Sequence, residues 1–219
     1  MSLPATKARE LLGTIAETQR LLLAFQNLAS VPSGSSVCLA VLSSSVGEGK
    51  TLTAAALACA AAQQSAQPVL AVDLNWYRPT LHEHFSLDRS FPAIKLAAAG
   101  ALRQLARPSG IAGLDILAAP MPCETGEQPV SNPNRVVAHV VQEARLSYAT
   151  VILDCPAVFP TNRCMVDSVS VARMADAVAL MVLAGVTSRH EVKRTQVMLE
   201  MSGSGRVGVV LNQWKNSLG

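Results

Sequence analysis

The chain has 219 residues, half of them hydrophobic and only 15% charged, so it can bury a large core without disulfide staples. A formal net charge of +3, with no block of Lys or Arg, argues against a nucleic-acid partner. There is no basic-then-apolar leader, and the longest apolar stretch, "ADAVALMVLAGV", is broken by Asp176 and falls short of the ~18 residues a membrane span needs.

In chain order, residues 5 to 29 read as an amphipathic helix with Leu11, Ile15, Leu22 and Phe25 near one stripe, ended by "SVPSGSS". Because this helix precedes the first strand, residues 1–30 are read as an N-terminal helical arm and 36–219 as one globular domain. "SSVCLAVLS" is an apolar strand, "KTLTAAALACAAAQQ" a helix, and "PVLAVDL" a strand. Local helices follow around 79–85 and 92–106, then the strand "GLDILAA". Residues 120–134, with four prolines, read as a loop. "NRVVAHVVQEARL" is a helix, "YATVILDC" a strand, 161–175 a helix, "AVALMVLA" a strand, 188–202 a helix and "GRVGVVLN" the last strand. Apolar strands alternating with helices specify an α/β fold. The expected architecture is a doubly wound, mainly parallel sheet with helices on both faces, in three layers.

Ligands of such sheets bind outside the carboxyl ends of the strands, and three polar signals fall there. The first is "SSSVGEGKT", between a strand and a helix, which is the context a phosphate-binding loop requires. Gly47 and Gly49 let the backbone N–H groups of Ser45, Val46, Gly47, Glu48, Gly49, Lys50, Thr51 and Leu52 turn toward phosphate oxygens at a helix N-terminus. Lys50 can reach the β- and γ-phosphates and Thr51 can hold Mg²⁺; Ser44 stands where the first Gly of the usual pattern would be. The second is Asp73, ending "VLAVD", able to face a metal ion or polarise a hydroxyl, or else to cap the following turn. The third is Asp154, ending "VILD", a candidate for positioning Mg²⁺. Asn212 ends the last strand as a base contact or a strand cap. Arg78 and Arg163 could contact phosphate or simply face solvent, and capping explains Asp167 as well as function does. His82 and His84 alternate in "LHEHF" without further ligands at metal spacing. The five cysteines are odd in number, lack CxxC spacing and read as free thiols in a reducing compartment.

With these residues in view, the chain resembles the cytoplasmic catalytic domain of bacterial tyrosine kinases (BY-kinases), within the wider MinD/ParA class of deviant P-loop ATPases. The family loop reads Ser-x-x-Pro-Gly-Glu-Gly-Lys-Ser/Thr, matched by "SSVGEGKT" with Val46 for Pro, so Ser44 is the family's own residue. Its second motif, Asp-x-Asp-x-Arg-Arg/Lys-Pro-x-Leu-His, appears as "DLNWYRPTLH", keeping Asp73, Arg78, Pro79, Leu81 and His82 with Asn75 as the departure. Its third, Asp-Thr-Pro-Pro, appears as "DCPA". The segment from Asp167 to Thr195 and "GVVLN" also match, the latter aligning Asn212 with an adenine-contacting position. Ser45 occupies the place of the signature Lys of MinD and ParA proper. A ring-assembly element survives as Glu17 and Arg20, with Leu23 in its last place. The family's C-terminal tyrosine cluster has no counterpart, Tyr77 and Tyr148 being the two tyrosines of the chain.

The resemblance implies ATP and Mg²⁺ as ligands, with Lys50, Asp73 and Asp154 catalytic and Thr51, Asp73 and Asp154 around the metal. It also implies a membrane-embedded chain-length or export protein of capsule or exopolysaccharide synthesis as partner, homo-oligomers, and a cytoplasmic place at the inner face of the membrane. Three readings stay open: a phosphoryl-transferring regulator, a non-catalytic nucleotide-binding interaction module, and a positioning ATPase.

Overall fold

A computed structural model describes residues 15–64, 66–122, 130–159 and 165–213. Its elements, in chain order, are α1 (Ile15–Ala29), β1 (Val37–Ser43), α2 (Lys50–Gln64), β2 (Val69–Asp73), α3 (Leu81–His84), a 3-10 turn (Ala93–Ala97), α4 (Ala101–Leu105), β3 (Arg107–Pro108) and β4 (Leu114–Leu117). They continue with α5 (Pro133–Ser147), β5 (Thr150–Ala157), α6 (Ser168–Ala172), β6 (Ala177–Leu183), α7 (Arg189–Ser202) and β7 (Arg206–Asn212).

The strands form one sheet in the order β3-β4-β2-β5-β1-β6-β7. All pairs are parallel except the short β3, which runs antiparallel to β4 at the edge. Successive residues of a strand face opposite sides. Cys38, Ala40 and Leu42 of β1 therefore join a core with α5, α6 and the 3-10 turn, while Leu39 and Val41 join a second core with α1 and α2. Both faces being covered is why the central strands read as unbroken apolar runs. The expected three-layer α/β/α arrangement is what the chain adopts.

Small residues set the packing distances. Ala54, Ala55, Leu57, Ala58, Cys59, Ala60 and Ala61 are buried all round α2, which lies between α1 on one side and β5 and β2 on the other, its small side chains allowing close approach to both. The helix read as an arm packs on the sheet: Leu22 and Phe25 of α1 are buried in the second core. Gly208 of β7 makes room for it, since a Cβ there would stand 2.8 Å from the Phe25 ring.

Local chemistry explains where element limits differ from the sequence expectation. The local helices expected around 92–106 are two short pieces, the first ended by Ala98 in extended backbone and the second starting after Gly100, whose φ of +73° is left-handed. Helix α5 begins at Pro133, inside the expected loop, because Asn132 caps it through Arg135 N–H and proline suits the first helical position. Within the described part of 161–175 the helix is only Ser168–Ala172, capped by Asp167 through Val169 and Ser170 N–H. Arg163, Cys123, Cys164, the start of the first helix and residues 123–129 of the 120–134 loop lie outside the described residues.

Candidate functional site

The carboxyl ends of β1, β2, β5, β6 and β7 lie side by side, and the sequence candidates gather there. Ser43 closes β1, and the loop 44–49 turns into α2 at Lys50. Gly47 and Gly49 have φ of +87° and +90°, a conformation that side chains other than glycine's rarely adopt. Gly49 is also pressed from outside: a Cβ there would stand 2.6 Å from Asn212 Nδ2. Ser44, in the place of the usual first Gly, is fully buried, and its hydroxyl is hydrogen-bonded to Thr195 Oγ1 of α7 at 2.9 Å. Its side chain faces the protein interior, which leaves the loop's outer surface free of it.

Lys50 is 7% exposed and folds back over the start of its own loop, donating to Ser43 Oγ at 2.9 Å and Ser45 O at 3.5 Å. Burial lowers its pKa, against the opposing pull of the Asp154 and Glu48 carboxylates. Thr51 is half-buried in the first turn of α2, and Val46 and Leu52 are exposed at the mouth of the loop.

Strands β2 and β5 place Asp73 directly opposite Asp154, and β5 in turn pairs Asp154 with Val41 of β1. Both carboxylates are buried. They differ in their partners. Asp73 Oδ1 accepts from Asn75 N–H at 3.0 Å and Oδ2 from Leu81 N–H at 3.1 Å, so it fastens both ends of the 74–81 loop. Neither oxygen of Asp154 has a hydrogen-bond partner of normal geometry, although the Thr51 hydroxyl lies near enough to lower its pKa. Burial pushes the Asp154 pKa up to about 7, with the Thr51 hydroxyl and the Lys50 ammonium pulling it back. Asp73 is raised too, first by burial and then by the neighbouring Asp154. Two facing buried acids with one unpartnered suit a divalent cation, and a Thr hydroxyl with one or two carboxylates is the protein share that Mg²⁺ bound to phosphates needs. No group of three His, Cys, Asp or Glu side chains among the described residues forms a metal cage, including around His82 and His84.

The other candidates have local roles. The Asn75 amide donates to Arg78 O at 2.7 Å and accepts from Arg78 N–H, closing a turn where the resembled family carries a second Asp. Arg78 is exposed and lies 5.7 Å from the Tyr77 ring centroid. Asn212 Nδ2 donates to Glu48 O at 3.2 Å, bracing the loop from the end of β7. Cys38, Cys59 and Cys155 are buried free thiols. Burial raises the first two to about 12 and about 11, as inert, hydrophobe-like cysteines require.

Several participants escaped sequence reading. Thr195 stabilises Ser44 from a helix whose sequence gives it no distinction beyond sharing a face with Leu199. Arg89 donates to the carbonyls of Ala119 and Pro120, and its charge lies near enough to Asp73 to lower the pKa of that acid. Thr187 donates to Glu48, from the turn before α7. That turn did carry a signal: "SRHE" has the capping-box pattern, and Ser188 Oγ caps the helix by accepting from Glu191 N–H while the Glu191 carboxylate folds back onto the Ser188 hydroxyl rather than its backbone N–H.

No protein-family model matches the chain. It is 28% identical over 179 residues to the tyrosine-protein kinase YwqD of Bacillus subtilis (strain 168), covering 81% of this chain and 72% of that protein. The crystal structure of the VpsO kinase domain superposes with a TM-score of 0.72 at 26% identity, covering 97% of this chain and 96% of that one. The septum site-determining protein MinD of Pyrococcus horikoshii, complexed with Mg-ADP, shares the fold at 18% identity and a TM-score of 0.63, over 84% of this chain and 72% of that one. In motifs, fold and sequence the chain is similar to bacterial tyrosine-kinase domains, and it has the fold of P-loop NTPases.

Proposed function

We propose that this chain binds ATP with Mg²⁺ and acts as a BY-kinase-like regulator of exopolysaccharide or capsule polymerisation or export. The observation that carries this reading is the unpartnered, buried Asp154 carboxylate, facing Asp73 and one strand away from the loop that bears Lys50 and Thr51. Such a group is costly in the absence of a cation and useful in its presence.

In this reading the N–H groups of residues 46–52 hold the phosphates at the start of α2, the helix end favouring negative charge, whereas Ser45 N–H, expected to face phosphate, is turned inward onto the Glu48 carboxylate at 3.1 Å. Lys50 leaves Ser43 and Ser45 to reach the phosphate oxygens. Thr51 and Asp154, with Asp73 behind them, would hold Mg²⁺, which when bound supplies neutralisation of phosphate charge. Each Asp73 oxygen has given one lone pair to a backbone N–H, and the second remains to orient an acceptor hydroxyl and take its proton. The acceptor oxygen would bond to the γ-phosphorus as the bond to the β,γ-bridging oxygen breaks, releasing ADP. The family resemblance supports a cytoplasmic location at the inner face of the membrane, through a membrane-embedded chain-length or export partner, and homo-oligomers. No helix among the described residues is long and apolar enough to cross a membrane.

A second reading is favoured by a specific observation. Asp73 is engaged at both oxygens by the backbone, and Asn75 turns its amide onto Arg78. In that case the chain binds nucleotide and docks on its partner without transferring phosphate. Incubation with γ-labelled Mg-ATP and a tyrosine-rich peptide separates the two. Label on tyrosine that requires Lys50 supports the first, and nucleotide binding with no label on peptide or protein supports the second.

A further inference from the structure

Glu48 sits in the phosphate loop, yet its carboxylate points inward and is 2% exposed. Its Oε2 accepts from Ser45 N–H at 3.1 Å, and its Oε1 accepts from the Thr187 hydroxyl. Thr187 Oγ1 itself accepts from Leu183 N–H at 2.9 Å. Because that backbone group can only donate, the single hydroxyl proton of Thr187 is left for Glu48. Both Glu48 oxygens therefore face obligate donors, a demand that a carboxylate meets and an amide does not. The Glu48 carbonyl completes the junction by accepting from Asn212 Nδ2 at 3.2 Å. Three segments that leave the sheet at neighbouring strand ends, from β1, β6 and β7, thus converge on one residue.

A buried negative charge beneath a loop that receives phosphate needs a reason, since it opposes the ligand's own charge. The reason offered by the geometry is shape. Ser45 N–H is held inward, Glu48 spans the loop as a strut, and Gly49 is held against Asn212. We propose that Glu48 and Thr187 form a positioning pair that holds the phosphate loop in its binding curve before nucleotide arrives, with Thr187 a functional residue contributed by the β6–α7 turn. The inference rests on the nucleotide-binding reading of the loop for its purpose, but its geometric content is separable from that reading.

The test uses Thr187→Val, which keeps the shape and removes the hydroxyl, Thr187→Ser, which restores it, and Glu48→Gln. Amide hydrogen exchange is measured on the nucleotide-free proteins, and Mg-ATP affinity by calorimetry. Expected are at least tenfold faster exchange at Ser45 and its loop neighbours in Thr187→Val and Glu48→Gln, with β5 and α5 unchanged, and near-native exchange in Thr187→Ser. Mg-ATP affinity should fall about tenfold to a hundredfold in the first two variants and recover in the third. Native loop exchange in Thr187→Val overturns the proposal, as does faster exchange spread evenly over the sheet, which would mark general destabilisation. Were the wild type itself not to bind Mg-ATP, the functional reading would fail while the exchange result still decided the pair.

Discussion

Replacing Asp154 by Asn isolates the cost of the acid at the centre of the site. Asp154 is fully buried, neither oxygen has a hydrogen bond of normal geometry, and its pKa is raised from 3.8 to about 7. For an acid whose folded pKa lies above its unfolded value, the folded state holds the extra proton between the two. Stability is then greatest below the unfolded pKa and declines as pH rises to the folded one. A displacement of that size corresponds to about 4 kcal/mol withdrawn from the ligand-free protein above neutrality. Asn removes the charge but leaves a buried amide in need of partners, which returns about 1–3 kcal/mol of that. The net expectation at pH 8 is stabilisation by about 1–3 kcal/mol, or a thermal midpoint raised by about 3–10 °C for a chain of this size. At pH 5, where Asp154 is itself protonated, the gain should disappear. Circular dichroism melts in chelator-containing, nucleotide-free buffer at the two pH values measure this. An Asp154→Asn variant less stable than wild type at pH 8, or a difference independent of pH, would refute the reasoning.

Other consequences are as direct. Gly49→Ala forces a Cβ to within 2.6 Å of Asn212 Nδ2 at a φ of +90°, so it should cost about 1–3 kcal/mol in urea unfolding and weaken Mg-ATP binding; a neutral result would contradict the loop geometry. Adding Asn212→Ala should recover part of that loss, because it relieves the contact but not the backbone strain. Phe25→Ala should destabilise the domain by about 3–5 kcal/mol, since the ring is 4% exposed against Gly208, whereas a helix standing off the sheet would give almost no change. If the chain phosphorylates itself, tryptic mass spectrometry should find the phosphate on Tyr77, which is 63% exposed beside the Asp73 loop. Tyr148 donates to Asp115 at 2.9 Å and its phenol is held well above its ordinary pKa, so phosphate at Tyr148 would contradict this.

What the sequence disclosed followed from chemistry that is local in the chain. The buried strands announced themselves as apolar runs, and Asp73, Asp154 and Asn212 as the polar residues that end them. Gly47 and Gly49 marked a left-handed turn between strand and helix, and Ser44 was legible as a variant position. Interactions across the fold were not legible. Nothing in "SRHEVKRT" shows that Thr195 will meet Ser44, 151 residues away, or that the threonine just before this segment will meet Glu48. The same holds for Asp73, whose sequence context fits a metal-facing acid and a turn cap alike. The structure gives it the second role through Asn75 and Leu81 while leaving it opposite Asp154. The docking of α1 was also hidden, because the room for Phe25 is made by a glycine in β7, at the other end of the chain.

Calorimetric titration of Mg-ATP into the wild-type chain and into Lys50→Ala tests the account most directly. Saturable binding by the wild type is expected, requiring Mg²⁺ and abolished in Lys50→Ala without loss of fold. Equal, negligible heats from both proteins would contradict it and identify the loop as a remnant.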